Sequence, residues 1–190
     1  MTKITRTERD EMSTEFREFQ KIVRLKRGMV VTEKIDGTNG CIYIGDDGEF
    51  LVGSRTQWIT PEKDNFGFAR WAYANESALR ELGPGRHYGE WWGGGIQRTY
   101  GLRLEKRFSL FNTARWKDGH PDCVSVVPVL FEGDFSTETI DRILAKLAEI
   151  GSVAEPGFMR PEGVVVYHTL SGTLFKKTIE KDDSGKGYGA

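Results

Sequence analysis

Cysteine is scarce in this chain: Cys41 and Cys123 are the only two in 190 residues. That number does not indicate a disulfide scaffold, and a reducing, cytoplasmic setting is expected. Histidine is nearly as sparse, with His87, His120 and His168. Only His120 and Cys123 stand close together, so no paired ligand spacing for a structural zinc is present. No apolar run approaches the ~20 residues that a membrane span needs. The opening MTKITRTERDEMS lacks the apolar stretch of a secretory signal. An excess of one charge is also missing, since the formal net charge is −1. Total charge therefore does not mark a nucleic-acid binder. There is no internal repeat, low-complexity segment or central linker. One domain of ordinary globular composition is expected, 38% hydrophobic and 29% charged.

The distribution of charge says more than its sum. Acids crowd residues 8–18 and 132–141, while bases crowd Lys21 to Arg27 and Arg98 to Lys117. Either basic run reads as a solvated face or as a phosphate-tracking strip, and charge alone does not choose between them. Met12, Phe16, Phe19 and Val23 fall at near-helical spacing and predict a short amphipathic helix over 8–22. A strand is predicted from Met29 to Glu33. CIYIG and EFLVGS around Asp47-Gly48 predict a hairpin, with glycine supplying the positive φ of the turn. Phe68, Trp71, Ala72, Ala78, Leu79 and Leu82 fit one or two helices that end at Gly83-Pro84-Gly85. Strand-like runs resume with RHYGEWW, RFSLFNTARW and VSVVPVLFEG. The clearest helix is 137–150, with Ile140, Ile143, Leu144, Leu147 and Ile150 in one stripe, Ser136 as its cap and Gly151 as its stop. A last hairpin, GVVVYH to TLFKKTIE, precedes a polar tail. The expected plan is a helical lead-in over 1–28, a mainly antiparallel α+β domain over 29–180, and a mobile tail over 181–190.

Glu33-Lys34-Ile35-Asp36-Gly37-Thr38-Asn39 is the most informative stretch. A lysine at the end of a strand, followed by a glycine turn, exposes its amine at a pocket mouth with backbone room for a phosphate. The same residues also suit a plain surface bend, and a bare K-x-D-G would not decide the matter. WWGGGIQRTY at 91–100 lacks the spacing of a P-loop or Rossmann fingerprint. It reads either as a mobile lip that offers Arg98 and Tyr100 to a nucleic-acid strand, or as a surface connection.

The order of further motifs decides for chemistry. Lys34-Ile35-Asp36-Gly37, Ser54-Arg55, Gly89-Glu90-Trp91-Trp92-Gly93, Phe108-Ser109-Leu110-Phe111-Asn112, Glu162-Gly163-Val164-Val165 and Lys176-Lys177 follow one another along the chain. In that order they resemble the motifs of the ATP-dependent ligases and mRNA capping enzymes, most closely the RNA-ligase branch. The resemblance spans 33–178. It implies the adenylation-domain (nucleotidyltransferase) fold, with Lys34 as the nucleophile that carries AMP. It implies that Arg55 contacts ribose and orients the substrate end, that Glu90 binds the ribose hydroxyl, and that Phe108 stacks on adenine. Glu162 is assigned to metal and phosphate chemistry, and Lys176 and Lys177 to the triphosphate. Glu33 and Asn39, inside the first motif, join the nucleotide-contact set. Two departures stand out. Asn112 occupies a place where Asp is commoner, and Lys176-Lys177 replaces the usual K-x-K. Residues 176 and 177 alternate faces, and Lys176 is favoured for the pocket because Phe175 and Lys177 then share the other side. From the residues alone, Glu90 also suits a satisfied core carboxylate and Phe108 an ordinary core ring.

The resemblance implies an ATP-dependent RNA ligase with Mg2+ or Mn2+ as its metal. Its substrate would be RNA with a 5′-phosphate, and its role RNA repair. The chain has the look of a catalytic core alone, so an accessory protein or a structured substrate is expected to supply grip. The alternatives are an adenylyltransferase that does not seal, a capping-type guanylyltransferase, and a catalytically silent nucleotide- or RNA-binding module.

Overall fold

The computed structural model describes residues 16, 18, 19 and 21–180. Most of the helix expected over 8–22, and the tail at 181–190, lie outside the described residues. Residues 21–24 are described and are not helical.

Among the described residues, ten strands form two sheets. A four-stranded sheet has the order β10-β9-β1-β8, and a six-stranded sheet the order β4-β3-β2-β5-β6-β7. The first is built from β1 (Gly28–Lys34), β8 (Val129–Asp134), β9 (Gly163–His168) and β10 (Thr173–Thr178). The second holds β2 (Thr38–Ile44), β3 (Phe50–Gly53), β4 (Trp58–Ile59), β5 (Gly85–Gly93), β6 (Lys106–Leu110) and β7 (Ser125–Val126). All strand pairs are antiparallel except β6–β7. The mainly antiparallel α+β architecture read from the sequence is the one observed.

Helices cover one face of each sheet. On the six-stranded sheet, α1 (Phe68–Ala74), α2 (Glu76–Leu79) and a 3-10 turn over Arg80–Leu82 close a core of Ile42, Val52, Trp91, Phe108 and Leu110. Asp64 holds the start of α1, accepting from the N–H groups of Ala69 at 2.7 Å and Arg70 at 3.1 Å. On the four-stranded sheet, α3 (Thr137–Ile150) packs Ile140 and Leu147 against Met29, Val31, Val164 and Val166. Ser136 caps it by accepting from Thr139 N–H at 3.2 Å, and Gly151 follows its last residue. The predicted stripe is correct except at its end, where Ile150 is exposed.

Two local expectations change. RFSLFNTARW is strand only through Leu110, after which turns take over. VSVVPVLFEG is divided between β7 in one sheet and β8 in the other, with Pro128 at the break. Proline has no N–H to donate to a ladder, so the run cannot continue as one strand through it. Among the described residues, no helix is long and apolar enough to cross a membrane.

Candidate active site

The lysine motif is the bridge between the two sheets. Lys34 ends β1 in the four-stranded sheet and Thr38 begins β2 in the six-stranded one, so Ile35-Asp36-Gly37 crosses from one layer to the other. Gly37 crosses directly beneath β5. A Cβ there would stand 2.4 Å from the Trp91 carbonyl oxygen and 2.8 Å from Trp92 Cβ, so a side chain is excluded. Ile35 is buried with Trp92, Tyr100 and Val127, which anchors the crossing.

Alternation along β1 separates its residues. Met29, Val31 and Glu33 face the α3 layer, while Lys34 faces the opposite side, toward the cleft between the sheets. Register pairs Lys34 with Gly163, which brings Glu162 beside it. The Glu162 carboxylate receives the Lys34 Nζ in a close ion pair. These two residues lie 128 positions apart in sequence.

Glu90 approaches the same crossing from β5. Its Oε1 accepts from Gly37 N–H at 3.0 Å and its Oε2 from the Asn39 side-chain amide at 3.1 Å. Burial is the main reason its carboxyl is pushed up to about 7. The Lys34 charge and the Gly37 N–H pull the other way, and the charges of Glu162 and Asp36 add to the rise. Glu90 is therefore a nearly desolvated carboxylate held by two donors within reach of the lysine's field. That combination is typical of functional carboxylates.

The segment joining β5 to β6 supports the motif from behind. Tyr100 is buried, and its hydroxyl accepts from Asp36 N–H at 2.8 Å. Arg98 donates from Nε to Asp36 at 3.0 Å and from Nη1 to the Arg160 carbonyl at 2.9 Å. Gln97, Thr99, Tyr100 and Arg103 all have positive φ there, between 44° and 58°. Such conformations are costly for non-glycine residues and persist where contacts enforce them. Arg98 and Tyr100 thus brace the lysine motif rather than forming a lip open to a strand. No local sequence pattern could reveal this, because Tyr100 and Asp36 stand 64 residues apart.

Two other positions assigned from the sequence, Glu33 and Phe108, take unexpected places. Glu33 is only 1% exposed, with its carboxylate held by Ser152 Oγ at 2.6 Å and the N–H groups of Val153 and Ala154 at 2.7 and 2.9 Å. It fastens the segment after α3 and has no free acceptor facing the cleft, so a direct nucleotide contact gains no support. Phe108 is fully buried among Phe68, Trp71 and Trp91, and neither ring face is open to a base. Lys177 is turned toward α3, where it pairs with Asp141. Lys176 lies in register with Val165, which pairs with Thr32, so it shares the Lys34 face of the sheet. Arg55 is exposed in the turn between β3 and β4. The geometry therefore brings together Lys34, Glu162, Glu90 and Asn39, places Lys176 on the same face, and sets Glu33, Phe108 and Lys177 elsewhere.

Among the described residues, no cluster of three His, Cys, Asp or Glu is arranged as a metal cage. The carboxylate of Glu162 is the oxygen donor beside the lysine. A single carboxylate suits a hard divalent cation that keeps waters and takes its remaining ligands from phosphate oxygens.

Comparison with known proteins bears on this arrangement. The RNA ligase family model matches residues 27–178. An apo lysine mutant of Naegleria gruberi RNA ligase superposes with a TM-score of 0.59 at 22% identity, over 80% of this chain and 49% of that one. A lysine mutant of the same enzyme with ATP and Mn gives 0.57 at 21% identity, over 78% and 48%. A third, with AMP and Mn, gives 0.58 at 23%, over 80% and 49%. At such identities the likeness speaks for the fold. The chain spans about half the length of these structures. A sequence search of curated proteins finds no match.

Proposed function

The chain belongs to the RNA ligase family, and from that premise we propose that it is an ATP-dependent RNA ligase acting through a lysyl-AMP intermediate on Lys34. The observation that carries this reading is the ion pair of Lys34 with Glu162 at the crossing between the sheets, beside a buried Glu90. In the first step Lys34 Nζ gives up a proton, for which Glu162 is the base in contact. The amine then attacks the α-phosphorus of ATP. An N–P bond forms, the bond from the α-phosphorus to the bridging oxygen breaks, and pyrophosphate leaves. In the second step the AMP phosphorus passes from Nζ to the 5′-phosphate of an RNA. In the third, a 3′-hydroxyl attacks that 5′-phosphate and AMP departs, leaving a phosphodiester.

Each side chain has a task suited to its chemistry. Glu90, fixed by Asn39 and Gly37 N–H, accepts from a ribose hydroxyl. Lys176 offers its charge to the phosphates, where negative charge grows in the transition state. Arg55 orients the substrate end. Glu162 would hold Mg2+ or Mn2+, which supplies charge neutralisation at the phosphates when bound. Naegleria RNA ligase structures with ATP and Mn lend weight to both reactants.

The test is incubation of the protein with α-labelled ATP and Mg2+ or Mn2+, followed by denaturing electrophoresis. A denaturation-resistant band is expected, absent in Lys34→Ala, with 5′-phosphorylated RNA then chasing the label into an RNA–adenylate and a sealed product. Labelling that survives Lys34→Ala would move the nucleophile elsewhere. A folded, AMP-free wild type that labels with neither ATP nor GTP would end the proposal.

A further inference from the structure

Side chains cross the open face of the six-stranded sheet in rows. The row nearest the lysine motif pairs Asn39 with Glu90. One row outward, Cys41 pairs with Tyr88, and Phe111 N–H donates to the Tyr88 carbonyl at 2.9 Å. In the next row Tyr43 pairs with Arg86. Alternate residues of a strand share a face, so Glu90, Tyr88 and Arg86 point to one side, opposite the helix-covered core that holds Trp91. Trp58 joins them from β4, its ring centroid 6.0 Å from that of Tyr43. The Arg86 guanidinium lies 4.7 Å from the Tyr43 ring centroid and 5.1 Å from that of Trp58.

These rings are open to solvent: Tyr88 is 54% exposed, Trp58 46% and Phe111 40%. Exposed apolar groups gathered on one face, rather than scattered singly, mark an interaction surface. We infer that this face is a stacking platform for the single-stranded RNA adjoining the reacting end. The inference rests on the functional reading above and extends it to how the substrate is gripped.

Three observations favour RNA as the occupant. The platform continues directly from the Asn39–Glu90 row: at ~3.4 Å per residue, Tyr88 and Arg86 stand about 7 and 14 Å along β5 from Glu90. The two outer rows contain no carboxylate, while Arg86 lies within them and Arg55 borders them in the β3–β4 turn. The groups offered are ring faces with an interleaved guanidinium, the set on which bases stack without regard to sequence. This assigns the strand contact to Tyr88, Trp58, Phe111 and Arg86, whereas Tyr100 packs on Trp92 at the other end of β5.

Fluorescence anisotropy with a 5′-phosphorylated single-stranded oligouridylate of about 12 nucleotides tests the platform on the full chain. Tyr88→Leu and Trp58→Leu should each weaken binding about tenfold, with melting temperature and lysyl-AMP labelling unchanged. A 5-iodouridine probe should cross-link to Tyr88, Tyr43 or Trp58. Unchanged affinity in folded Tyr88→Leu and Trp58→Leu, together with cross-links mapping elsewhere, would overturn the inference. So would a wild type that labels with ATP but does not bind the probe. Loss of a concentration-dependent dimer in Tyr88→Leu, with RNA affinity intact, would instead make the face an interface between copies. A wild type that binds RNA through these rings yet never labels would sink the ligase reading and leave the platform standing.

Discussion

Glu33 and Lys34 are neighbours in the chain and face opposite sides of β1. The Glu33 side belongs to the α3 layer: its carboxylate accepts three hydrogen bonds from residues 152–154 and is nearly sealed from water. The Lys34 side belongs to the cleft, where the partner is one carboxylate, Glu162, and the next acid, Glu90, is held by only two donors. A carboxylate whose acceptors are filled by backbone N–H groups is a fastener. One that is buried with acceptor capacity to spare is poised for a ligand, and the rise of Glu90 to about 7 is the electrostatic sign of that condition. Burial alone therefore does not separate structural from functional acids in this fold; the donor count and the face of the strand do.

Removing the fastener should have the largest effect on stability. Glu33→Ala leaves the Ser152 hydroxyl and two N–H groups without their acceptor, and should cost on the order of 3 kcal/mol in urea unfolding. A loss below about 1 kcal/mol would erase the contrast with Lys34, whose replacement should leave the fold intact.

Glu90 should make stability depend on pH. Its folded value of about 7 lies above the ordinary 4.5, so the folded state holds the proton more tightly than the unfolded chain. Its contribution is most favourable below 4.5, declines as pH rises from 4.5 to about 7, and levels off above that. The total swing is at most about 3 kcal/mol. Glu90→Gln should therefore flatten the unfolding free energy across that window and gain relative to wild type at pH 8. Parallel pH profiles for the two proteins would show that Glu90 is not strained by burial.

Smaller effects are expected at the periphery. Tyr100→Phe removes the acceptor of Asp36 N–H and should cost about 1–2 kcal/mol, with slower lysyl-AMP formation because the crossing loses its brace. Normal labelling rates in that variant would confine Tyr100 to packing. Lys177→Ala breaks an exposed pair with Asp141 and should change stability by no more than about 0.5 kcal/mol, with labelling unaffected. Lys176→Ala should be equally mild for folding and should slow labelling. The reverse outcome would exchange the assignments of these two lysines.

What could be read from the sequence was whatever is settled within a few residues. Ser136, the Ile140–Leu147 stripe and Gly151 define α3 because a cap, a periodicity and a stop act locally. The hairpin of β2 and β3 follows from its alternation around Asp47-Gly48 for the same reason. The motif order marked Lys34, Glu90 and Glu162 as the residues to watch, and strand alternation put Lys176 and Lys177 on opposite faces. Tertiary structure decided the rest. The pairing of Lys34 with Glu162 spans 128 residues and depends on the register of β1 against β9. The bracing by Arg98 and Tyr100, the turning of Glu33 toward residues 152–154, the burial of Phe108 and the division of 124–133 between two sheets all depend on which layers meet. Local hydrogen bonding and hydrophobic period fix an element and its two faces; only the packing of one layer on another determines which face becomes core and which becomes site.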